Sequence, residues 1–206
     1  TLGHRPVLGA VGGLRRPTGT DADSLGTDHA IGLFELAAKQ DGGHIVVDHT
    51  HTVSGPTWPN GCHISEVELD PETGTIAIVA YASVNDVGRV VNPMIVRGQL
   101  DGGAVQGIGQ ALTEQIVYDD SGQLLTGSLM DYAAPRADLL ACDFVTAMDE
   151  GTPSRNNPLG VKGVGELGIC GVSAAIANAI HNATGVRVRD YPITLDKLLA
   201  GLGRLA

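Results

Sequence analysis

Residues 63–86 read HISEVELDPETGTIAIVAYASVND. Apolar side chains recur at strand spacing on both sides of a break, with Ile64, Val67 and Leu69 before it and Ile76, Ile78, Val79 and Tyr81 after it. The break, Asp70-Pro71-Glu72-Thr73-Gly74, combines a proline that presets φ with a glycine that accepts a positive one. The stretch therefore predicts an antiparallel β-hairpin. Upstream, HIVVDHTHTV over 44–53 alternates β-branched and polar residues and reads as another strand, stopped by Pro56, Pro59, Asn60 and Gly61. The fold class expected is α+β, an antiparallel hairpin or sheet between residues 44 and 84 with helices packed on it.

Before that sheet, DHAIGLFELAAKQDGG over 28–43 predicts a helix of about three turns with Asp28 near its start. Residues 1–27 show no sustained period. The domains expected are 1–43, irregular with a short helix, and 44–206. After the hairpin, residues 94–118 place Ile95, Val105, Ile108, Leu112 and Ile116 at helical spacing, though Gly98, Gly102, Gly103, Gly107 and Gly109 interrupt the run. Each glycine costs a helix interior about 0.8–1 kcal/mol relative to alanine, so their number points to close packing against backbone or a cofactor. CDFVTAMDE over 142–150 reads as a short strand. GVSAAIANAIHNATG over 171–185 reads as a helix with Val172, Ile176, Ala179, Ile180 and Ala183 on one face and Gly185 at its C′ position. VRVRDYPITLDKLLAGL then gives a short strand and a terminal helix capped by Thr194.

The chain has 206 residues, 29 of them glycine, 3% aromatic residues and a formal charge of −10. Such a surface repels nucleic acid and anionic membranes, and the pairs Arg15/Arg16 and Arg187/Arg189 are too small to act as a basic stripe. The longest apolar run is too short for a transmembrane helix. Cys62, Cys142 and Cys170 are odd in number and widely spaced, which suits a reducing, cytoplasmic compartment and neither a disulfide framework nor an iron–sulfur cluster. Cys62 and Cys142 read as buried small residues, and Trp58 as packing. His49 and His51 form an H-x-H pair near His63, but no further ligand of suitable type stands by, so no metal held by side chains is expected.

PSRNNPLGVKGVGELG over 153–168 is a long loop containing Gly163, Gly165 and Gly168 in G-x-G-x-x-G spacing. A dinucleotide fingerprint needs a buried strand immediately before it, and Pro158 with the paired asparagines forbids one. Glu166 stands among small and apolar residues; alone, it reads equally as a helix-dipole partner.

The ordered set PNGCHISEVELDPETG, NDVGRVVNP, GQLDGGAVQGIGQAL, GSLMDYAAPRAD and NPLGVKGVGELG resembles the C-terminal part of the molybdenum-binding large subunit of the xanthine dehydrogenase, aldehyde oxidoreductase and aerobic carbon monoxide dehydrogenase family. The resemblance covers about residues 56–200. It implies a molybdopterin cofactor, in the cytosine dinucleotide form, with molybdenum. It also implies Glu166 as the base toward hydroxide on the metal, in oxidation of an aldehyde or N-heteroaromatic carbon with water as oxygen source. Gln99 matches the family's pterin-binding glutamine, its amide offering two donors and an acceptor, and Lys162, Gly163, Val164 and Gly165 match the segment lying along the cofactor. Gln99 reads otherwise as a helix-surface residue and Lys162 as a solvated loop lysine.

The family's large subunit is several times longer, so the chain is expected to be one segment of a split or truncated subunit. Its partners would be the remainder of the molybdenum subunit, chains carrying [2Fe–2S] and FAD, and a small-molecule substrate. The V-G-E-L-G form, without a proline pair after the acid, leans toward the carbon monoxide dehydrogenase-like branch. The competing reading is a non-catalytic structural or interaction domain of the same fold.

Overall fold

The computed structural model describes residues 21–23, 30–48, 50, 52–140 and 142–203. The readings made on Arg15, Arg16, Asp28, His49 and His51 lie outside them. The chain divides into two units, Thr1–Thr52 and Val53–Ala206.

In the first unit, strand β1 (Asp21–Asp23) pairs antiparallel with β2 (Ala30–Gly32), and helix α1 (Leu33–Ala38) follows directly. The helix has six residues where the sequence predicts three turns, because Ile31 belongs to the strand pair and Gly42 and Gly43 turn the chain with positive φ. Residues 44–48 form no strand. The alternation there is real, but a strand exists only when paired, and Val46 and Val47 are exposed.

In the second unit the hairpin is formed as the sequence predicts: β3 (Asn60–Leu69) and β4 (Ile76–Asp86) pair antiparallel, with one bulge between Glu66 and Val67. Its turn is tied by Asp70, whose Oδ1 accepts the Glu72 N–H at 2.8 Å while its backbone N–H reaches the Thr75 carbonyl at 3.0 Å. Gly74 takes φ 75° there. Strand β5 (Asp143–Asp149) adds to the other edge of β4 in parallel, giving the order β3-β4-β5. A parallel neighbour needs a crossover, and helix α2 (Pro93–Leu112) lies within it. Asn92 caps α2, accepting the Ile95 N–H at 3.2 Å, and Pro93 occupies its first turn.

Helices α3 (Leu167–Cys170), α4 (Val172–Thr184) and α5 (Leu195–Gly201) complete the unit. The core joins Ile78 and Tyr81 of β4 to Ala104, Ile108 and Ala111 of α2, to Val172, Ile176 and Ile180 of α4, and to Leu198 of α5. Of the apolar face predicted on α4, Val172, Ile176 and Ile180 are buried, Ala179 is half-buried and Ala183 is exposed. The crowded glycines of α2 serve close packing in part. A Cβ on Gly103 would stand 3.0 Å from the backbone of Gly168, and one on Gly168 only 2.5 Å from the Leu100 carbonyl oxygen, so α2 and α3 meet backbone to backbone. Gly185 ends α4 at φ 75° and Thr194 occupies the N-cap of α5, as the sequence predicts. Residues 186–189 keep the predicted alternation, with Val186 and Val188 against the core, yet pair with no strand.

Candidate functional site

The loop carrying Glu166 is fixed at its base. The Lys162 N–H donates to the Val87 carbonyl at 2.8 Å, and the Arg89 N–H donates to the Gly160 carbonyl at 3.0 Å, so residues 160–162 run along the end of β4 like a short extra strand. Beneath this staple the Lys162 ammonium stands 2.5 Å from Asp86 Oδ2, their side chains only 10% and 12% exposed. The Thr152 hydroxyl also donates to Asp86 Oδ2, and the Gly88 N–H donates to Oδ1 at 2.9 Å. Burial pushes the Asp86 carboxyl up, but the bonds from Lys162, Thr152 and Gly88 outweigh it and hold the pKa at about 2. Val164 and Leu167 then pack against Val87 and Leu100.

Among the described residues, the N–H groups of Gly163, Val164 and Gly165 donate to nothing. A Cβ at Gly163 or Gly165 would meet no atom within 4 Å, so the fold's own packing does not demand glycine at either place. Both line a groove of about 770 Å³, whose lining also includes Glu166, Cys170, Trp58, Asn60 and His63. Glu166 is solvent-exposed at the N-cap of α3, and among the described residues its carboxylate receives no hydrogen bond, while its carbonyl accepts from the Ile169 N–H at 3.3 Å.

The structure thus brings Gly163, Val164, Gly165 and Glu166 to one groove. Lys162 precedes them with both its N–H and its ammonium engaged inside the fold, so it is not the solvated loop lysine that its sequence context suggests. Gln99 is exposed on α2 and does not line the groove; its neighbour Leu100 packs on Leu167, which adjoins Glu166. Three readings need correction. Trp58 is 74% exposed on the groove wall and is not packing. Cys62 lies exposed on the outward side of β3 because His63 takes the inward position of the alternation, and Cys142 is only half-buried. His63 enters the groove, where the described residues include no set of metal ligands, and only its β-strand alternation, placing it on the face opposite Cys62, could have signalled this.

A family model described as the molybdopterin cofactor-binding domain matches residues 26–140. The chain belongs to this molybdopterin-binding family. It is 39% identical to the gamma subunit of the 6-hydroxypseudooxynicotine dehydrogenase complex of Paenarthrobacter nicotinovorans, over 85% of this chain and 23% of that one. It is 44% identical to the aldehyde oxidoreductase molybdenum-binding subunit PaoC of Escherichia coli K12, over 66% of this chain and 19% of the relative. Quinoline 2-oxidoreductase from Pseudomonas putida 86 superimposes with a TM-score of 0.65 at 37% identity, over 72% of this chain and 19% of that one. The chain spans about a fifth of the length of these relatives.

A molybdopterin fits the residues present. Its heteroaromatic edge and phosphates need hydrogen-bond donors approached closely, and the free N–H groups of 163–165 stand beside two glycines whose missing side chains leave room. No helix of the described residues is long and apolar enough to cross a membrane.

Proposed function

We propose that the chain, chiefly residues 44–206, is one part of a molybdenum hydroxylase that oxidises an aldehyde or N-heteroaromatic carbon, and that Glu166 is its general base. One observation carries the reading: in a member of a molybdopterin-binding family, a carboxylate lines a groove beside three backbone N–H groups that have no partner among the described residues and two glycines with open flanks.

The division of labour follows from the residues. The N–H groups of Gly163, Val164 and Gly165 hold one edge of the cofactor, here in the cytosine dinucleotide form, and the Gln99 amide holds another. When bound, the molybdenum pterin supplies the two-electron oxidation and the oxygen atom, drawn from water. Glu166 would be the general base, its carboxylate in the groove taking up a proton given up by water, a role that contributes roughly 10²- to 10⁴-fold in comparable sites. Lys162 takes part by holding Gly160–Lys162 to the end of β4 through Asp86, which aims the next four residues.

The remaining fold of the molybdenum subunit completes the site from another polypeptide segment, and chains carrying [2Fe–2S] and FAD accept the electrons. The assembly works in the cytoplasm, as the cysteine usage suits a reducing compartment. The reading is tested by turnover of a Glu166→Gln enzyme at unchanged molybdenum content.

A further inference from the structure

His63 faces Glu166's groove from β3, and its surroundings fix both its orientation and its proton. Its Nδ1 lies 2.5 Å from the hydroxyl of Tyr81, the residue two positions from His63's own cross-strand partner Ser83. Tyr81 is fully buried and cannot turn away, because Phe144 stacks on its ring with centroids 5.1 Å apart. Burial also raises the pKa of the Tyr81 hydroxyl, which keeps its proton.

A buried O–H must donate to something, and among the described residues Nδ1 of His63 is the one partner that Tyr81 has. Nδ1 is therefore the acceptor, and the imidazole carries its proton on Nε2. Burial lowers the His63 pKa, which favours this neutral form. The ring is also held from above, since a Cβ on Gly171 would sit 2.3 Å from its Cδ2. Its Nε2 edge lies toward Gly61 and Gly171, both of them groove residues, and Nε2 has no hydrogen-bond partner among the described residues. The groove thus contains, among its lining residues, both an oriented N–H donor and the Glu166 carboxylate, together with the apolar surfaces of Trp58, Val164 and Leu167.

We infer that His63 is a specificity-determining residue: its Nε2–H binds an acceptor atom of the substrate, a ring nitrogen or a carbonyl oxygen, and so turns the neighbouring carbon toward Glu166. Tyr81 is its positioning residue. The inference rests on the reading of this groove as a hydroxylase site. A donor fixed in a pocket rejects a ligand lacking the acceptor because the buried N–H is then left unpaired.

The test uses the assembled, reduced enzyme, which binds without turning over. Two pairs of probes differ only in the acceptor: quinoline against naphthalene, and benzaldehyde against styrene. Wild type is expected to bind the acceptor-bearing member of at least one pair more tightly by about 10- to 100-fold. His63→Phe abolishes the preference with molybdenum content unchanged, His63→Gln, which keeps a donor, retains part of it, and Tyr81→Phe reduces it several-fold. The inference is overturned if wild type discriminates in neither pair, if the preference survives His63→Phe, or if His63→Phe and His63→Gln both lose molybdenum. Failure of the hydroxylase reading itself shows elsewhere, as full turnover by Glu166→Gln.

Discussion

The Lys162 ammonium lies 2.5 Å from the carboxylate of Asp86, 76 positions earlier in the chain, and the two are nearly out of water. This pair joins the end of the central strand to the loop that leads to Glu166. Removing one partner of such a pair costs far more than the pair itself contributes, because the other charge stays buried alone.

Lys162→Met is accordingly expected to destabilise the assembled protein by about 3 kcal/mol, read as a lower denaturant midpoint. Adding Asp86→Leu removes the stranded charge, and the double variant recovers much of that loss. Equal midpoints for the single variant and wild type would show that the pair carries no stability.

The same carboxylate sets an acid limit. Its folded pKa of about 2 lies below the ordinary value of about 3.9 for an unfolded aspartate, so the folded state holds the proton less tightly. Its contribution is fully present above pH ~4 and disappears as pH falls toward ~2. Stability measured across that window is expected to fall less steeply in Asp86→Asn than in wild type, after allowance for the variant's lower plateau.

Two kinds of glycine in one motif give opposite outcomes. Gly168 touches the Leu100 carbonyl, so Gly168→Ala forces α2 and α3 apart and is expected to cost about 1–3 kcal/mol. Gly163 and Gly165 have open flanks, so Gly163→Ala and Gly165→Ala leave folding stability within about 0.5 kcal/mol of wild type. Both of the latter are expected to lower the molybdenum content of the assembled enzyme, measured by elemental analysis.

What could be read from the chain alone divides along the range of the signals. The hairpin, the helical run of α2 as far as Leu112, the Gly185 stop of α4 and the Thr194 start of α5 are written in neighbouring residues, and each is formed. The stretches 44–48 and 186–189 carry the alternation of strands but find no partner, and pairing is a property of the whole fold. β5 was legible as a strand, whereas its parallel placement on β4 depends on the crossover through α2. Glu166 and its glycines stood out through an ordered set of motifs. The engagement of Lys162 with Asp86 and of His63 with Tyr81 did not, since each joins residues that only the folded sheet makes neighbours.

The central claim is that Glu166 is the general base of a molybdopterin site and takes a proton given up by water. Glu166→Gln keeps the size and hydrogen-bonding capacity of the side chain but cannot accept that proton. In the assembled enzyme, steady-state turnover with an aldehyde or N-heteroaromatic substrate is expected to fall by at least about 10²-fold while molybdenum per assembly stays at the wild-type level. Turnover within a few-fold of wild type at that same metal content would contradict the account.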